Sequence, residues 1–419
     1  MPSIATGAAK SSTDTTWRIE QACPQCGGAV VLGETDRLLC CPFCRVRLVL
    51  AGEAEPRYIL PPRREDCPHV FVPYWRLKGL CFNVVPGEVA HAVVDRTLRA
   101  VPLPMLPATL GVRPQAMKLR RARPVAGSRF LRPQTAVEQA IAECGADCRK
   151  LEEKPVLDQC FLGTRRTLIY FPVRIEDGIW DGVNEQRIAP PGAAMADLPG
   201  DDGGLHEIRF LPALCPNCAG DLDAEPDGLV YLCGACSTAW APSGNALVAI
   251  PCSTVSPRDA AAVHLPFWRL RLSIEGCALS NLAELVRFAN LPRLPRSEAA
   301  PAPLAFWLPA FKLQPEHFLR LARTLTVAQP EEAGEAATPG GLAYPVTLAA
   351  DQAAAALKAM LADLARPRPP YDAVAAGIRM AVEAAELVFL PFSEDVRELH
   401  HQGVQMTVAR GLLEFGRGL

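Results

Sequence analysis

Two stretches of this chain follow one cysteine plan. CPQCGGAVVLGETDRLLCCPFC begins at Cys23 and CPNCAGDLDAEPDGLVYLCGAC begins at Cys215. In each, Cys-Pro-x-Cys is followed by 14 residues and then a second Cys-x-x-Cys, and an offset of 192 superposes the two stretches without a gap. Two sulfurs on one tight turn reach a common point, and a second such pair reaches it only if the intervening chain reverses. Each stretch is therefore expected to be a small antiparallel β unit around one metal ion. The candidate ligands are Cys23, Cys26, Cys41 and Cys44, then Cys215, Cys218, Cys233 and Cys236. Gly28 and Gly220, two residues after the first pair, are expected to let the turn close without a Cβ clash.

The segment LLCCPFC carries a third sulfur, Cys40, beside Cys41. The repeat settles the register. At offset 192 Cys41 falls on Cys233 and Cys40 on Leu232, so Cys41 is the ligand and Cys40 is expected to be a small apolar packing residue.

The echo continues outside the cysteines. VPYWRLK (Val72–Lys78) matches LPFWRLR (Leu265–Arg271), Leu106-Pro107-Ala108 matches Leu308-Pro309-Ala310, and TLIYFPV (Thr167–Val173) matches ELVFLPF (Glu386–Phe392), in the same order. This predicts a tandem duplication. The expected layout is a tail over 1–16, a first cysteine unit over 17–50, an α+β lobe over 51–189 and a Gly/Pro/Asp-rich linker over 190–205. A second unit over 206–241 and a second lobe over 242–419 complete it. The fold class is α+β, with mostly antiparallel sheets. Arg45–Leu50 reads as a strand, as do the Pro-aromatic-Trp-Arg segments. Thr135–Glu153, Pro315–Ala328 and Thr347–Ala365 read as helices, with Pro315 at a first helical position.

The cysteine spacing resembles the zinc-ribbon group, whose knuckles are similar to those of rubredoxins; the likeness covers about 35 residues per copy. It implies two structural Zn²⁺ ions, each closed by four thiolates with no open position for chemistry. Rubredoxin-like iron serving electron transfer, and a dithiol/disulfide pair, are the alternatives. Ribbon followed by a Pro-aromatic-Trp-Arg strand also resembles bacterial zinc-ribbon proteins that accompany membrane-associated complexes, which implies a protein partner at such a complex.

The other cysteines suggest less. With 16 cysteines and no apolar run after Met1, the expectation is a reducing, cytoplasmic setting. Cys144 and Cys148 lie on one predicted helix face and read as core. Neither Cys67-Pro68-His69 nor His400-His401 has a visible ligand partner. No uncharged, unbroken run reaches the ~20 apolar residues of a membrane span.

No phosphate-binding loop, dinucleotide fingerprint, His-Glu-x-x-His or Gly-x-Ser-x-Gly is present. Asp201 and Asp202 read as solvated. The net charge of −2 argues against a general polyanion binder. It is unevenly spread: residues 1–200 hold 26 Lys and Arg against 21 Asp and Glu (+5), and residues 201–419 hold 17 against 24 (−7). The segment 113–132 is basic, and Lys118, Arg120, Arg121 and Arg123 could meet phosphates, yet it offers one aromatic, Phe130. Trp75 and Trp268 read as core, with Arg76 and Arg269 alternating outward. The proline-broken apolar runs Ala100–Val112 and Ala299–Phe311 either wrap their own lobe or dock a partner. The expectation is a non-enzymatic protein-binding scaffold, accessory subunit or assembly factor. Nucleic-acid binding through 113–132 is the first alternative and electron transfer the second.

Overall fold

The computed structural model describes residues 17–52, 56–111, 118–146, 154–190, 198–201, 209–256, 262–292, 303–330, 334, 337–401 and 403–419, with 145–146 and 164–166 as backbone only. The first half opens with β1 (Arg18–Ala22), β2 (Ala29–Gly33), β3 (Leu38–Cys40), β4 (Arg47–Ala51) and β5 (Arg57–Ile59). Two long strands follow, β6 (Val70–Val85) and β7 (Glu88–Arg99), then β8 (Lys118–Arg121) and β9 (Arg129–Phe130). Helix α1 (Val137–Ala146) precedes β10 (Asp158–Ile175), β11 (Ile179–Asp181) and β12 (Arg187–Ala189). The second half holds β13 (Arg209–Pro212), β14 (Tyr231–Cys233), β15 (Thr238–Ser243), β16 (Ala246–Ile250), β17 (Cys252–Thr254) and β18 (Ala262–Glu275). Next come α2 (Leu282–Phe288), β19 (Phe306–Pro309), α3 (Pro315–Ala328), α4 (Ala350–Ala355), α5 (Leu357–Leu364) and α6 (Arg368–Val374). Last are β20 (Arg379–Glu394), β21 (Glu398–His401), β22 (Met406–Ala409) and α7 (Arg410–Arg417). The chain is thus α+β, with pairings that are mostly antiparallel. Of the predicted helices, α3 has the expected bounds. The stretch 347–365 breaks into α4 and α5 at Ala356, and residues 147–153, with Cys148, lie outside the described residues.

One strand pattern occurs in both halves. In the first, β6 runs antiparallel to β10, whose other edge takes β5 in parallel and then β11. In the second, β18 runs antiparallel to β20, whose other edge takes β17 in parallel and then β21. Trp75 lies opposite Leu168 and Trp268 opposite Leu387, which pairs TLIYFPV with ELVFLPF residue for residue. The bulges fall at the same place, between Gly163 and Arg165 and between Arg271 and Leu272. Each indole N–H donates to a backbone oxygen just before a helix, Thr135 before α1 or Leu348 before α4, at 2.8 and 2.9 Å.

The same hydrogen bonds correct one correspondence. Ala310 N–H donates to Pro266 O, and Ala100 N–H donates to Pro73 O, both at 3.0 Å. Ala310 therefore matches Ala100, not Ala108. Leu106-Pro107-Ala108 belongs to a coil peculiar to the first half, where Pro107 O accepts from Tyr74 Oη. That coil covers its own half, with Val101, Leu103, Leu106 and Leu110 buried. The equivalent run in the second half forms buried β19.

The halves share a core and a sheet. Strand β6 is buried on both faces. Its odd residues Phe71, Trp75, Leu77 and Cys81 pack under α1. On its even face, Val72 and Tyr74 meet the first cysteine stretch. Farther along that face, Leu80, Phe82 and Val84 join the core of the second half, where the Phe82 and Phe318 rings lie 6.0 Å apart. Strands β1 and β2 are the end of a ten-stranded sheet built on β6 and β10. Strands β3 and β4 form a separate sheet with β13, the strand that leads into the second cysteine stretch.

Candidate metal centres

Two sulfur quartets assemble among the described residues: Cys23, Cys26, Cys41 and Cys44, and Cys215, Cys218, Cys233 and Cys236. Within each, the sulfurs lie within 4.8 Å of one another. The closest pairs are Cys23–Cys44 at 3.8 Å, Cys26–Cys41 at 3.6 Å, and Cys215–Cys236 and Cys218–Cys233 at 3.5 Å. Four thiolates about 2.3 Å from a central ion stand about 3.8 Å apart, so both quartets fit a tetrahedral site. They are compatible with zinc-ribbon-like centres.

The backbone explains how each pair of sulfurs turns inward. The residue after the second cysteine of every pair is left-handed: Gly27 (φ 74°), Arg45 (φ 60°), Ala219 (φ 57°) and Ser237 (φ 54°). Three of them donate N–H back to the first cysteine's carbonyl: Gly27 to Cys23 at 2.8 Å, Arg45 to Cys41 at 3.0 Å and Ala219 to Cys215 at 2.8 Å. Three of the four are not glycine, so these turns accept a conformation that costs an L-residue roughly 1 kcal/mol. Gly28 plays the expected part and Gly220 does not: a Cβ on Gly220 would make only ordinary contact, 3.4 Å from Cys218 Sγ. At Gly28 a Cβ would lie 2.4 Å from the Phe43 ring, so its role is close approach.

Local hydrogen bonds favour the thiolate form at Cys41 and Cys236, whereas at Cys44 and Cys218 the backbone N–H of Val46 or Gly220 is outweighed by burial and the neighbouring sulfurs, which raise the thiol. The Cys41 thiol is lowered to about 6, first by the Cys44 backbone N–H, against burial and with help from the Phe43 N–H. Cys236 is also held below the ordinary thiol value, first by the Thr238 hydroxyl and then by the Asn217 side chain. Thr238 Oγ1 lies 3.0 Å from Cys236 Sγ and accepts from Trp240 Nε1 at 2.9 Å. Motif spacing could not reveal this pair, which lies beyond the last ligand.

Cys40 is outside the first quartet, across β3–β4 from Arg47. It is exposed, so it does not pack as expected; its counterpart Leu232 does, against the core of the second half. Cys144 is buried on the inner face of α1. His69 is buried and lies 6.0 Å from the Phe71 ring, and His400 bonds Thr407 at 3.2 Å; neither joins a metal-ligand group among the described residues.

The charged residues also differ from expectation. Arg76 does not point outward: it is 3% exposed and holds Glu34 at 2.9 and 3.2 Å, with Asp95 as a further partner. Arg269, its counterpart, is partly exposed and meets Glu386 at 2.5 Å. Asp201 is half-buried rather than solvated, its side chain 9% exposed and bonded by Arg57 and by Tyr170 Oη at 2.8 Å, while Asp202 lies outside the described residues. In the basic segment, residues 113–117 are also outside them. Lys118 pairs with Glu20 at 2.9 Å, Arg120 pairs with Glu20 at 3.2 Å and Glu65 at 2.6 Å, and Arg121 stacks over Phe210.

Comparison of the chain with protein-family models, with curated proteins and with solved structures returned no match. Among the described residues no helix is long and apolar enough to cross a membrane.

Proposed function

We propose that this protein is a non-enzymatic scaffold or accessory subunit, with two tandem zinc ribbons, each holding one structural Zn²⁺. The observation that carries this reading is the placement of the quartets. Each is closed by four sulfurs, and the two stretches share a sheet: β4 pairs with β3 on one edge and with β13 on the other. Leu38 and Val49 from the first stretch pack with Leu222 and Tyr231 from the second. Metal held here would brace the junction of two halves, which is structural work and leaves no coordination position for a substrate.

Apolar groups left at the surface support a protein partner. Phe43, at the tip of a knuckle, is 66% exposed, and Val31 is exposed on β2, which ends its sheet. The nucleic-acid reading has less support, because Lys118 and Arg120 already face carboxylates. Elemental analysis should find about two zinc and no stoichiometric iron per chain. Tagged protein should capture one defined partner at fixed stoichiometry, and Phe43→Asp should release it. Recovery as a lone monomer would count against the scaffold, and iron at two per chain would favour electron transfer.

A further inference from the structure

The two quartets match sulfur for sulfur, but what stands behind them differs. In the second, Thr238 opens β15 just after the last ligand, and its Oγ1 lies 3.0 Å from Cys236 Sγ and 3.7 Å from Cys215 Sγ. Trp240 Nε1 lies 2.9 Å from the same oxygen. An indole nitrogen only donates, so it engages the oxygen's lone pair and directs the hydroxyl proton toward the sulfurs. At the corresponding positions the first quartet has Val46 and Leu48, whose side chains carry no donor; there the Val46 backbone N–H serves Cys44 instead. Its outer sulfurs are also more open: Cys26 and Cys44 are both exposed, whereas in the second quartet Cys218 is exposed and Cys236 half-buried.

A hydrogen bond to a metal-bound thiolate draws charge off the sulfur and fixes its rotamer. The sulfur becomes a poorer target for protons and for competing ligands, and the metal leaves more slowly. We propose that the two centres are unequal: the second, braced by Thr238 and Trp240, keeps its thiophilic divalent cation, while the first exchanges its cation readily. Thr238 and Trp240 are positioning residues, since neither touches the ion. The inference rests on the zinc reading above. Emptying the first centre would leave Cys26 and Cys44 as free thiols, exposed as Cys40 is.

The test uses the full chain loaded with Zn²⁺ and an excess of a chromogenic chelator, with release followed by absorbance. Two phases of one equivalent each are expected. Thr238→Val keeps the shape and removes the proton, and should speed only the slow phase, by about 10-fold. Thr238→Ser should restore it. Val46→Thr, the converse exchange in the first centre, should slow only the fast phase, which keeps the test decisive if Thr238→Val fails to fold. A single phase of two equivalents, Thr238→Ser behaving like Thr238→Val, or neither variant shifting its own phase would overturn the inference and leave the zinc reading standing. A chain that binds no zinc removes both.

Discussion

Lys312 offers a direct measurement of the packing between the halves. It lies between β19 and α3, is 1% exposed, and faces Lys78, Asp227, Arg37 and Glu34. Burial above all, with Lys78 adding to it, lowers its ammonium to about 7. An unfolded lysine titrates near ~10.4. Between these values the unfolded chain binds a proton that the folded chain lacks, so stability rises with pH across the window. The separation of ~3.4 units corresponds to about 4 to 5 kcal/mol at most. Lys312→Met removes the titrating group. Its stability relative to the wild type should therefore be most favourable near pH 6.5 and should decline by several kcal/mol toward pH 10. Urea denaturation at matched metal loading and at steps across that range gives the difference directly, and the comparison cancels groups common to both proteins. A difference constant to within about 0.5 kcal/mol, or one that grows more favourable to the variant with rising pH, would refute the claim that the amine sits in a dry junction.

Two further substitutions probe the same architecture. Glu34→Ala strands the buried Arg76 guanidinium with Asp95 and removes the carboxylate 3.9 Å from Lys78 Nζ; it should cost about 3 kcal/mol, read as a lower urea midpoint at unchanged slope. Cys41→Ala should halve the zinc content, while Cys40→Ala should leave both ions in place and change stability by less than about 0.5 kcal/mol, because Cys40 is exposed and outside the quartet.

The eight sulfurs could be read from spacing because a knuckle is a local device: six or so consecutive residues decide where two sulfurs point. The pairing of Thr167–Val173 with Glu386–Phe392 was legible for a similar reason, since strands that repeat a side-chain pattern repeat its register. Arg76 was not. Alternation placed it on the face opposite Trp75, which is where it lies, but periodicity cannot say whether a face is covered. Glu34, from a turn 42 residues earlier, closes over it. Asp201 misled in the same way, since a Gly/Pro/Asp-rich composition hid a carboxylate anchored by Arg57. The Leu-Pro-Ala likeness failed because three common residues in a coil carry no register, whereas backbone hydrogen bonds do. Nor could local pattern show that β1 and β2 extend a sheet built mainly from residues far downstream.

The sharing of strands and cores sets an order of events on the ribosome. Strand β4 waits for β13, about 160 residues later, and Phe82 waits for Phe318, 236 residues later. Until then the emerging first half presents an open strand edge and the apolar row Leu80, Phe82 and Val84 to its surroundings. Such a chain pays the loop-closure entropy late, and its long-lived exposed edge invites other chains. A fragment ending at residue 190 should accordingly be recovered insoluble and be rescued by co-expression of 198–419. The second half would then serve the first as an intramolecular chaperone, since two halves with one strand pattern share a core.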